Sequence, residues 1–599
     1  MSEPLESRFL VANVKIEYPD EDDAGFSVGN TGEYSVERDL PRSPIADGII
    51  DKFRDLQMKK GIWQPPTNDR EKRIKKLRED TYQRTNDTLA SDNNIVSLQA
   101  PTGSGKTLAM LSYAVRLREK IKKEKGFAPR IIYALPFISI AEQVENIVRD
   151  IFDIRHKEND ALLTVHHSLS ELNWHSQGDE YDPKNIRFFI DRWRSDIIIT
   201  TTVRLCETIL GPSKRDSIRF NRLAGSIILM DEVQSFPVKY WDIIGETIKA
   251  LANNLGCHML IATATMPAII RPDEMYSTSV DGGGVNRYEV QYQSKRISLD
   301  EFTQEVIAEL RDKPSSNVLV VLNTKAAAAS AYSEIQKAID SEDELYFLSG
   351  WVAPIHRKQT INQLRISLKS GKRRVILVCT QVIEAGVDVS FDIAFRDLAP
   401  LDSIIQVAGR CNRSWEKEKL GIVKVRCVFN SESKRGYAQS VYDEIDLEMT
   451  REVLQERDGE SYDEEKLRER LSLYFSEIRK RKITNVALKH AICLEWDDLG
   501  KTFNLIDRVD TSCKVLIQCD GRSESILDGI RDKLKEKRVW IPSAFYRYTI
   551  ELSKKQYDAL EFEVESVWDH NGHLLFGVIG TEPDTKLYSS DTGFKVPEN

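Results

Sequence analysis

The amino-acid sequence predicts an α/β fold in which two parallel sheets, each covered by helices, follow one another along the chain. Three observations carry this prediction. Short β-branched runs alternate with longer amphipathic stretches in two separate parts of the 599-residue chain, a pattern that favours parallel sheets with helices on both faces. Three glycines, at positions 282–284, separate the two parts. A glycine-rich loop follows the first strand of the first part and opens a helix, which is an arrangement that binds phosphate.

The chain length allows three or four domains, because single hydrophobic cores stop growing beyond about 250–300 residues. We expect an N-terminal accessory region at 1–74, a first α/β domain at 75–276, a linker at 277–298, a second α/β domain at 299–432 and a C-terminal accessory domain at 433–599. The predicted strands are 95–98, 131–135, 197–202, 227–230 and 259–262 in the first domain, and 318–322, 375–379 and 423–428 in the second.

Composition is typical of a cytoplasmic globular protein without a membrane span. Hydrophobic residues make up 41% of the chain and charged residues 30%, and no apolar run approaches the roughly 20 residues that cross a bilayer. The eight cysteines have no CxxC spacing, so we expect reduced thiols and no structural zinc. A net charge of −9 does not itself favour a nucleic-acid binder, although a basic groove can lie on an acidic protein. The basic run at 70–78 is most often a solvated helix face.

The glycine-rich loop predicts a site for a nucleoside triphosphate. Backbone N–H groups of such a loop wrap the phosphates, Lys106 would meet the β/γ-phosphate charge, and the Thr107 hydroxyl would reach Mg²⁺. The alternative is an ordinary loop with a surface lysine. The predicted strand before the loop and the predicted helix after it disfavour this alternative. Ala100 stands where the usual pattern has glycine. The predicted loop residues are Ala100, Pro101, Thr102, Gly103, Ser104, Gly105, Lys106 and Thr107.

Two further strand ends of the first domain carry polar residues that suit ATP hydrolysis. Asp231 and Glu232 follow a predicted buried strand, so Asp231 can serve Mg²⁺ and Glu232 can orient and deprotonate the attacking water. Alone, such a pair could be a simple turn. Thr263 and Thr265 follow the next strand and could sense the γ-phosphate, with a threonine turn as the alternative.

The second domain contains two arginines at helical spacing. Arg410 and Arg413 could reach phosphates held by the first domain and stabilise charge in the phosphoryl-transfer transition state. Either residue alone could be a surface arginine.

Taken in order, these motifs resemble those of superfamily 2 helicases, which carry two RecA-like domains. They resemble most closely the CRISPR-associated helicases of type I systems. The segments that carry the resemblance are 100–107, 135–143, 201–203, 231–234, 263–265, 380–384 and 406–413, with a weaker match at 588–594.

The resemblance implies ATP-dependent 3′-to-5′ translocation on single-stranded DNA that a guide-RNA surveillance complex, Cascade, has displaced. It also implies that Gln406 acts with the arginines, that Gly386 and Asp388 lie at the nucleotide, and that Gln83 reads adenine, with Gln57 as the alternative. Residues implied to touch the DNA backbone are Pro136, Thr201, Thr202, Asn323, Thr324 and Thr380.

The sequence departs from the family in one respect. Proteins of this family usually begin with a metal-dependent nuclease domain, which is marked by a His-Asp pair and further histidines. None of the nine histidines precedes the phosphate loop, and none is followed directly by Asp. His166 and His167 could be imagined as metal ligands, but the end of a strand is the favoured interpretation. We therefore expect a helicase-only variant that works with a separate HD-type nuclease subunit.

Two alternatives remain. One is another superfamily 2 helicase that acts on RNA or DNA. The other is an ATP-switched clamp or adaptor that binds nucleic acid without translocating.

Overall fold

The structure is a computed structural model of the protein, and the chain divides into two units. Unit 1 comprises residues 1–170, 178–285 and 475–506, and unit 2 comprises residues 171–177, 286–474 and 507–599. The structure describes residues 24–28, 34–38, 44–154, 162–167, 192–211, 214–264, 267, 269–280, 286–384, 387–413, 419–454, 461–482, 486–493, 495–503, 505, 512–560, 564–580 and 587–595.

Unit 1 contains a seven-stranded sheet in the order β5-β6-β4-β7-β8-β3-β9, and every pairing in it is parallel. Its central strands β4 and β7 are buried at every position, as expected for strands covered on both faces. The strands are β3 (Ile95–Gln99), β4 (Ile131–Leu135), β5 (Leu163–His166), β6 (Ile197–Thr201), β7 (Ile227–Asp231), β8 (His258–Thr263) and β9 (Tyr276–Ser279). A separate antiparallel pair joins β1 (Ala24–Val28) to β2 (Tyr34–Arg38).

Helices cover this sheet, and the first two pack on the helix that follows the phosphate loop. They include α1 (Ile49–Lys59), α2 (Asp69–Asp87), α3 (Lys106–Lys125), α4 (Ile138–Phe152), α5 (Thr202–Leu210), α6 (Lys214–Phe220) and α7 (Trp241–Asn254). Asp51 of α1 accepts hydrogen bonds from Tyr82 of α2 and from Arg116 of α3, both at 2.7 Å. Helix α1, which we expected in an accessory region, therefore packs as part of unit 1.

Unit 2 contains a second seven-stranded sheet, in the order β12-β13-β11-β14-β15-β10-β16. Its pairings are parallel except between β10 and β16. The strands are β10 (Tyr288–Ser298), β11 (Val318–Val321), β12 (Glu344–Leu348), β13 (Val375–Cys379), β14 (Ile393–Asp397), β15 (Gly421–Phe429) and β16 (Ser461–Asp463). Two helix-covered parallel sheets in sequence confirm the predicted α/β class.

The predicted linker at 277–298 differs from the structure. Strand β10 takes up residues 288–298 and pairs along its length with β15. Tyr288, Val290 and Tyr292 are buried, whereas the residues between them are partly exposed. This alternation has the two-residue period of a strand. The charges at Lys295 and Arg296 hide that pattern in the sequence.

The predicted C-terminal domain is also divided. Its helices include α12 (Glu444–Leu454), α13 (Glu464–Lys482), α14 (Val486–Ile492), α15 (Trp496–Thr502), α16 (Gly521–Lys535) and α17 (Lys554–Asp558). Residues 475–506 belong to unit 1. There Phe475 packs edge-on against Trp241, with ring centroids 5.4 Å apart, and the Tyr240 hydroxyl donates to the Thr502 carbonyl at 2.8 Å.

The remaining tail forms a four-stranded sheet in unit 2, in the order β18-β17-β20-β19. Its strands are β17 (Ser512–Gln518), β18 (Thr549–Ser553), β19 (Glu565–Trp568) and β20 (Leu574–Gly580), followed by the hairpin β21 (Tyr588–Ser589) and β22 (Gly593–Phe594). The Tyr588 hydroxyl lies 2.8 Å from His356 Nδ1 and accepts from the Ala353 N–H at 2.9 Å. The hairpin thus packs on the segment that opens α10 (Pro354–Ser370).

Four other helices cover the second parallel sheet or lead into it: α8 (Leu299–Asp312), α9 (Lys325–Ala338), α10 and α11 (Leu401–Ala408). Among the described helices of both units, none combines the length and apolar character that crossing a bilayer requires.

Candidate active site

The phosphate loop lies between β3 and α3, and its backbone has the conformation that only glycine adopts freely. Gly103 and Gly105 have φ angles of 81° and 83°, in the left-handed region where a side chain would be strained. Gly105 forms the N-terminal cap of the 20-residue helix α3. The helix therefore directs unpaired N–H groups and the positive end of its dipole toward the loop, which suits an anion.

Two contacts hold this loop in place. The Ala100 N–H donates to the Thr263 carbonyl of β8 at 3.0 Å, and Arg78 Nε of α2 donates to the Gly103 carbonyl at 3.3 Å. The Ser104 hydroxyl is buried and has no hydrogen-bond partner among the described residues, which fits a loop that takes up a polar ligand. Sequence reasoning missed Arg78, because its basic run looked like a solvated helix face.

Lys106 and Glu232 meet at the carboxyl edge of the sheet. The Lys106 side chain is 7% exposed, and its Nζ lies 3.2 Å from Glu232 Oε1. Glu232 has a φ of 52°, a sparsely populated conformation for a residue with a side chain. Such backbone strain clusters at functional sites, and here it occurs at the residue expected to orient water.

Asp231 lies beside this pair and is buried. Burial raises its pKa to about 7; the Glu232 charge adds to the rise, and Lys106 opposes it. The Tyr133 hydroxyl of β4 lies 3.5 Å from Asp231 Oδ2 and 3.4 Å from Met110 Sδ of α3. Tyr133 therefore contacts one of the two residues expected to serve Mg²⁺, a role that no sequence motif indicates.

A chain of hydrogen bonds leads from Glu232 to β8. Gln234 Nε2 donates to Glu232 Oε2, and the Thr263 hydroxyl donates to Gln234 Oε1 at 2.5 Å. Thr263, expected to sense the γ-phosphate, is thus linked to the water-orienting carboxylate through Gln234. Thr265 lies outside the described residues.

The two candidate adenine-reading glutamines lie on different helices of unit 1. Gln83 is exposed on α2 and donates to Glu79 of the same helix at 2.8 Å. Gln57 is partly exposed on α1. Which of them reads adenine stays a prediction.

In unit 1, the residues expected to contact DNA follow two neighbouring strands. Pro136 follows β4, and Thr201 and Thr202 lie at the end of β6, where Leu135 pairs with Thr201. Thr201 caps α5 by accepting from the Arg204 N–H at 3.2 Å. The structure therefore brings these three residues to one edge of the sheet.

In unit 2, the equivalent residues follow β11 and β13, which also pair. Thr324 caps α9, while Thr380 is buried after β13. Asn323 differs from the expected DNA-facing position. Its side chain is 3% exposed, and its Nδ2 donates to Asp397 Oδ2 at 2.6 Å and to the Leu398 carbonyl at 2.7 Å. The buried Asp397 carboxylate needs donors, and the Asn323 amide provides one.

The two arginines of unit 2 are held by different partners. Arg410 is buried; its Nε donates to the Ile383 carbonyl at 3.0 Å and its Nη2 to the Glu384 carbonyl at 2.7 Å. Its Nη1 has no hydrogen-bond partner among the described residues. Arg413 Nε lies 2.7 Å from Asp388 Oδ1, so Asp388, expected at the nucleotide, pairs with an arginine here.

The resemblance implied roles for two further residues of the second domain, Gln406 and Gly386. Gln406 is partly exposed on α11. Gly386 lies outside the described residues.

Comparison with known proteins identifies both domains. Residues 80–271 match the DEAD/DEAH box helicase family, and residues 314–416 match the family described as CRISPR-associated nuclease/helicase Cas3, C-terminal. The DEAD/DEAH box helicase domain implies ATP hydrolysis. The chain contains a DEAD domain and a Cas3-like C-terminal domain, which confirms the predicted resemblance.

Several curated relatives are named CRISPR-associated nuclease/helicase Cas3. The chain is 27% identical over 459 residues to the CRISPR-associated nuclease/helicase Cas3 of Haloferax volcanii, covering 59% of this chain and 49% of the relative. It is 24% identical over 384 residues to that of Methanothermobacter thermautotrophicus, covering 61% and 44%. The chain thus spans about half the length of these relatives.

Solved structures share the fold. The crystal structure of T. fusca Cas3-ATP superposes with a TM-score of 0.60 at 14% identity, over 85% of this chain and 69% of that one. A chain of a CRISPR RNA-guided surveillance complex, pre-nicking, gives a TM-score of 0.54 at 15% identity, over 85% and 68%.

Proposed function

We propose that this chain is an ATP-driven 3′-to-5′ translocase on single-stranded DNA that serves a type I guide-RNA surveillance complex. The observation that carries the proposal is the cluster of Lys106, Asp231 and Glu232 at the sheet edge of unit 1. Thr201, the last residue of β6, and Thr202, which follows it, lie along the same edge. ATP hydrolysis and contacts to the DNA backbone at one edge of a sheet suit an enzyme that couples hydrolysis to movement along DNA.

In this proposal, Lys106 exchanges its partner when ATP binds. The β/γ-phosphates compete with Glu232 for the lysine, which frees the carboxylate to accept a proton from the attacking water. Thr107 and Asp231 would hold Mg²⁺, which neutralises charge on the phosphate oxygens. The donor set fits Mg²⁺ and phosphate: the Thr107 hydroxyl, the Asp231 carboxylate beside Tyr133, and the Ser104 hydroxyl, which has no hydrogen-bond partner among the described residues.

Arg410 and Arg413 would stabilise the phosphoryl group during transfer. Two backbone carbonyls hold the Arg410 guanidinium through Nε and Nη2. Its Nη1 has no hydrogen-bond partner among the described residues, so it could donate to a phosphate oxygen. Such fixed donors need no reorganisation when charge develops.

We further propose that DNA cutting is the task of another polypeptide, an HD-type nuclease. The curated relatives are named nuclease/helicases, whereas none of the nine histidines in the 599 residues is followed directly by Asp. A solved surveillance complex contains a chain that shares this fold, which supports such a complex as the partner.

Strand displacement tests this proposal. Duplexes that carry a 3′ or a 5′ single-stranded tail, in DNA and in RNA, are incubated with ATP and the full chain, with Glu232→Gln as the control. We expect displacement from the 3′-tailed DNA alone, and none by the control.

Other outcomes select the alternatives. Displacement of RNA duplexes would support an RNA helicase. ATP-dependent binding without displacement, also after adding the surveillance complex on its opened target, would support the clamp.

A further inference from the structure

Arg396 is a buried cation at the centre of unit 2 that no sequence motif singles out. It lies on β14, and its side chain is 0% exposed. Its Nη1 donates to Asn323 Oδ1 at 2.6 Å, and its Nη2 donates to Glu384 Oε1 and to the Tyr442 hydroxyl, both at 2.9 Å. One guanidinium therefore holds three segments that are distant in sequence.

The Asn323 end of this network leads to the expected DNA contacts. Asn323 directly precedes Thr324, and its carbonyl accepts from Gln381 Nε2 at 3.0 Å. Gln381 directly follows Thr380. Holding Asn323 therefore fixes the strand ends that carry both threonines.

The Glu384 end leads to the arginine expected to serve ATP. The Glu384 carboxylate accepts from Arg396 and from the Ser403 hydroxyl, the latter at 2.8 Å. The Glu384 carbonyl accepts from Arg410 Nη2 at 2.7 Å. The position of Glu384 therefore sets the position of the Arg410 guanidinium.

Charge neutralisation alone does not explain this arrangement. Arg287, which is 1% exposed in the same unit, is neutralised by the single carboxylate of Glu464, which it contacts through Nε and Nη2. Arg396 instead divides its donors between Glu384, an amide and a phenol. A planar fork can do this, whereas the compact ammonium of lysine cannot reach both ends.

We propose that Arg396 is a positioning residue that couples the DNA-contacting strand ends of unit 2 to Arg410. The proposal rests on the proposed function, because it takes Thr324 and Thr380 as DNA contacts and Arg410 as a phosphate contact. A shift of Asn323 on DNA binding passes through the guanidinium to Glu384 and so to Arg410.

The test measures ATP hydrolysis by the full chain with and without single-stranded DNA, as a ratio of the two rates. Arg396→Lys should lower this ratio about tenfold, with the loss in kcat and less than about a threefold change in the half-saturating DNA concentration. Tyr442→Phe, which removes one partner and no charge, should lower the ratio about two- to threefold. The ratio is independent of the fraction of protein that folds.

Arg287→Lys is the matched control, since it alters an equally buried arginine of unit 2 whose ion pair is with Glu464 rather than with Glu384. It should leave the ratio unchanged even where it lowers the melting temperature. A wild-type ratio in Arg396→Lys, or in Tyr442→Phe should Arg396→Lys fail to fold, overturns the coupling role, as does an equal loss in Arg287→Lys. A wild-type chain that DNA does not stimulate overturns the proposed function itself, and the coupling role with it.

Discussion

The two parallel sheets carry their motif residues at the same edge, and each places two carboxylates beside one buried cation. In unit 1, Lys106 lies beside Asp231 and Glu232, and the pKa of Asp231 rises to about 7 because burial and Glu232 oppose its ionisation. In unit 2, Arg396 is bonded to Glu384 and, through the Asn323 amide, to Asp397, and burial raises the pKa of Asp397 to about 7 as well. The difference lies in the connections: phosphate can replace Glu232 as the partner of Lys106, whereas the Arg396 guanidinium joins three segments and can transmit a shift.

The largest expected effect separates the chemistry of unit 1 from its folding. Glu232→Gln should reduce DNA-stimulated ATP hydrolysis about 10³-fold, because the amide cannot accept a proton from water. Lys106→Ala should reduce it at least as far and should also weaken ATP binding. Steady-state hydrolysis and equilibrium binding of a labelled ATP analogue measure both effects.

Glu246→Gln is the matched control for Glu232→Gln, since this glutamate lies in the same unit, paired with Lys249 at the surface. Near-normal turnover in Glu232→Gln would remove the carboxylate from the mechanism.

Arg410→Lys tests the contribution of unit 2 at the phosphates. Lysine cannot keep both carbonyl contacts and still present a free donor, so kcat should fall about 10²-fold. Arg296→Lys, an exposed arginine that donates to the Lys434 carbonyl, should have no effect. Stopped-time hydrolysis assays compare the two, and equal kcat values would contradict the assigned role.

Tyr133→Phe sharpens the comparison at the metal. Loss of the hydroxyl removes the contact to Asp231, so the Mg²⁺ concentration for half-maximal hydrolysis should rise about tenfold. The rate at saturating Mg²⁺ should stay near that of the wild type. A magnesium titration of both proteins decides, and superimposable curves would show that Tyr133 only fills the core.

A further prediction concerns stability and pH. The raised pKa of Asp231 means that protonation stabilises the folded state below pH 7, and that this contribution is lost as pH rises through about 7. The wild type should therefore gain on the order of 2 kcal/mol over Asp231→Asn between pH 8 and pH 5. Denaturant unfolding of both proteins without nucleotide measures the difference, and parallel pH profiles would contradict the assigned burial cost.

Local patterns predicted the parts of the structure in which chemistry and backbone coincide. The phosphate loop, the strand before it and the carboxylates after β7 each combine a strand period with polar residues at its end. Sequence reasoning failed where tertiary packing decides the role of a residue. Nothing next to Tyr133 or Arg396 in the sequence indicates their partners, because those partners lie on other elements of the fold.

The same reason explains one smaller difference. The resemblance implied that Asn323 contacts DNA, yet its amide donates to the buried Asp397 carboxylate. His166, by contrast, ends strand β5 as expected. Its Nδ1 accepts from Trp193 Nε1 at 2.8 Å, a contact that the sequence did not indicate.

The most direct test of the account is the rate of ATP hydrolysis by the full chain as single-stranded DNA is added at two salt concentrations. If the chain is a DNA translocase, its rate of ATP hydrolysis should rise about tenfold or more at low salt. The half-saturating DNA concentration should increase steeply with salt, because the contacts are to phosphates. A rate that is the same with and without DNA would contradict the account.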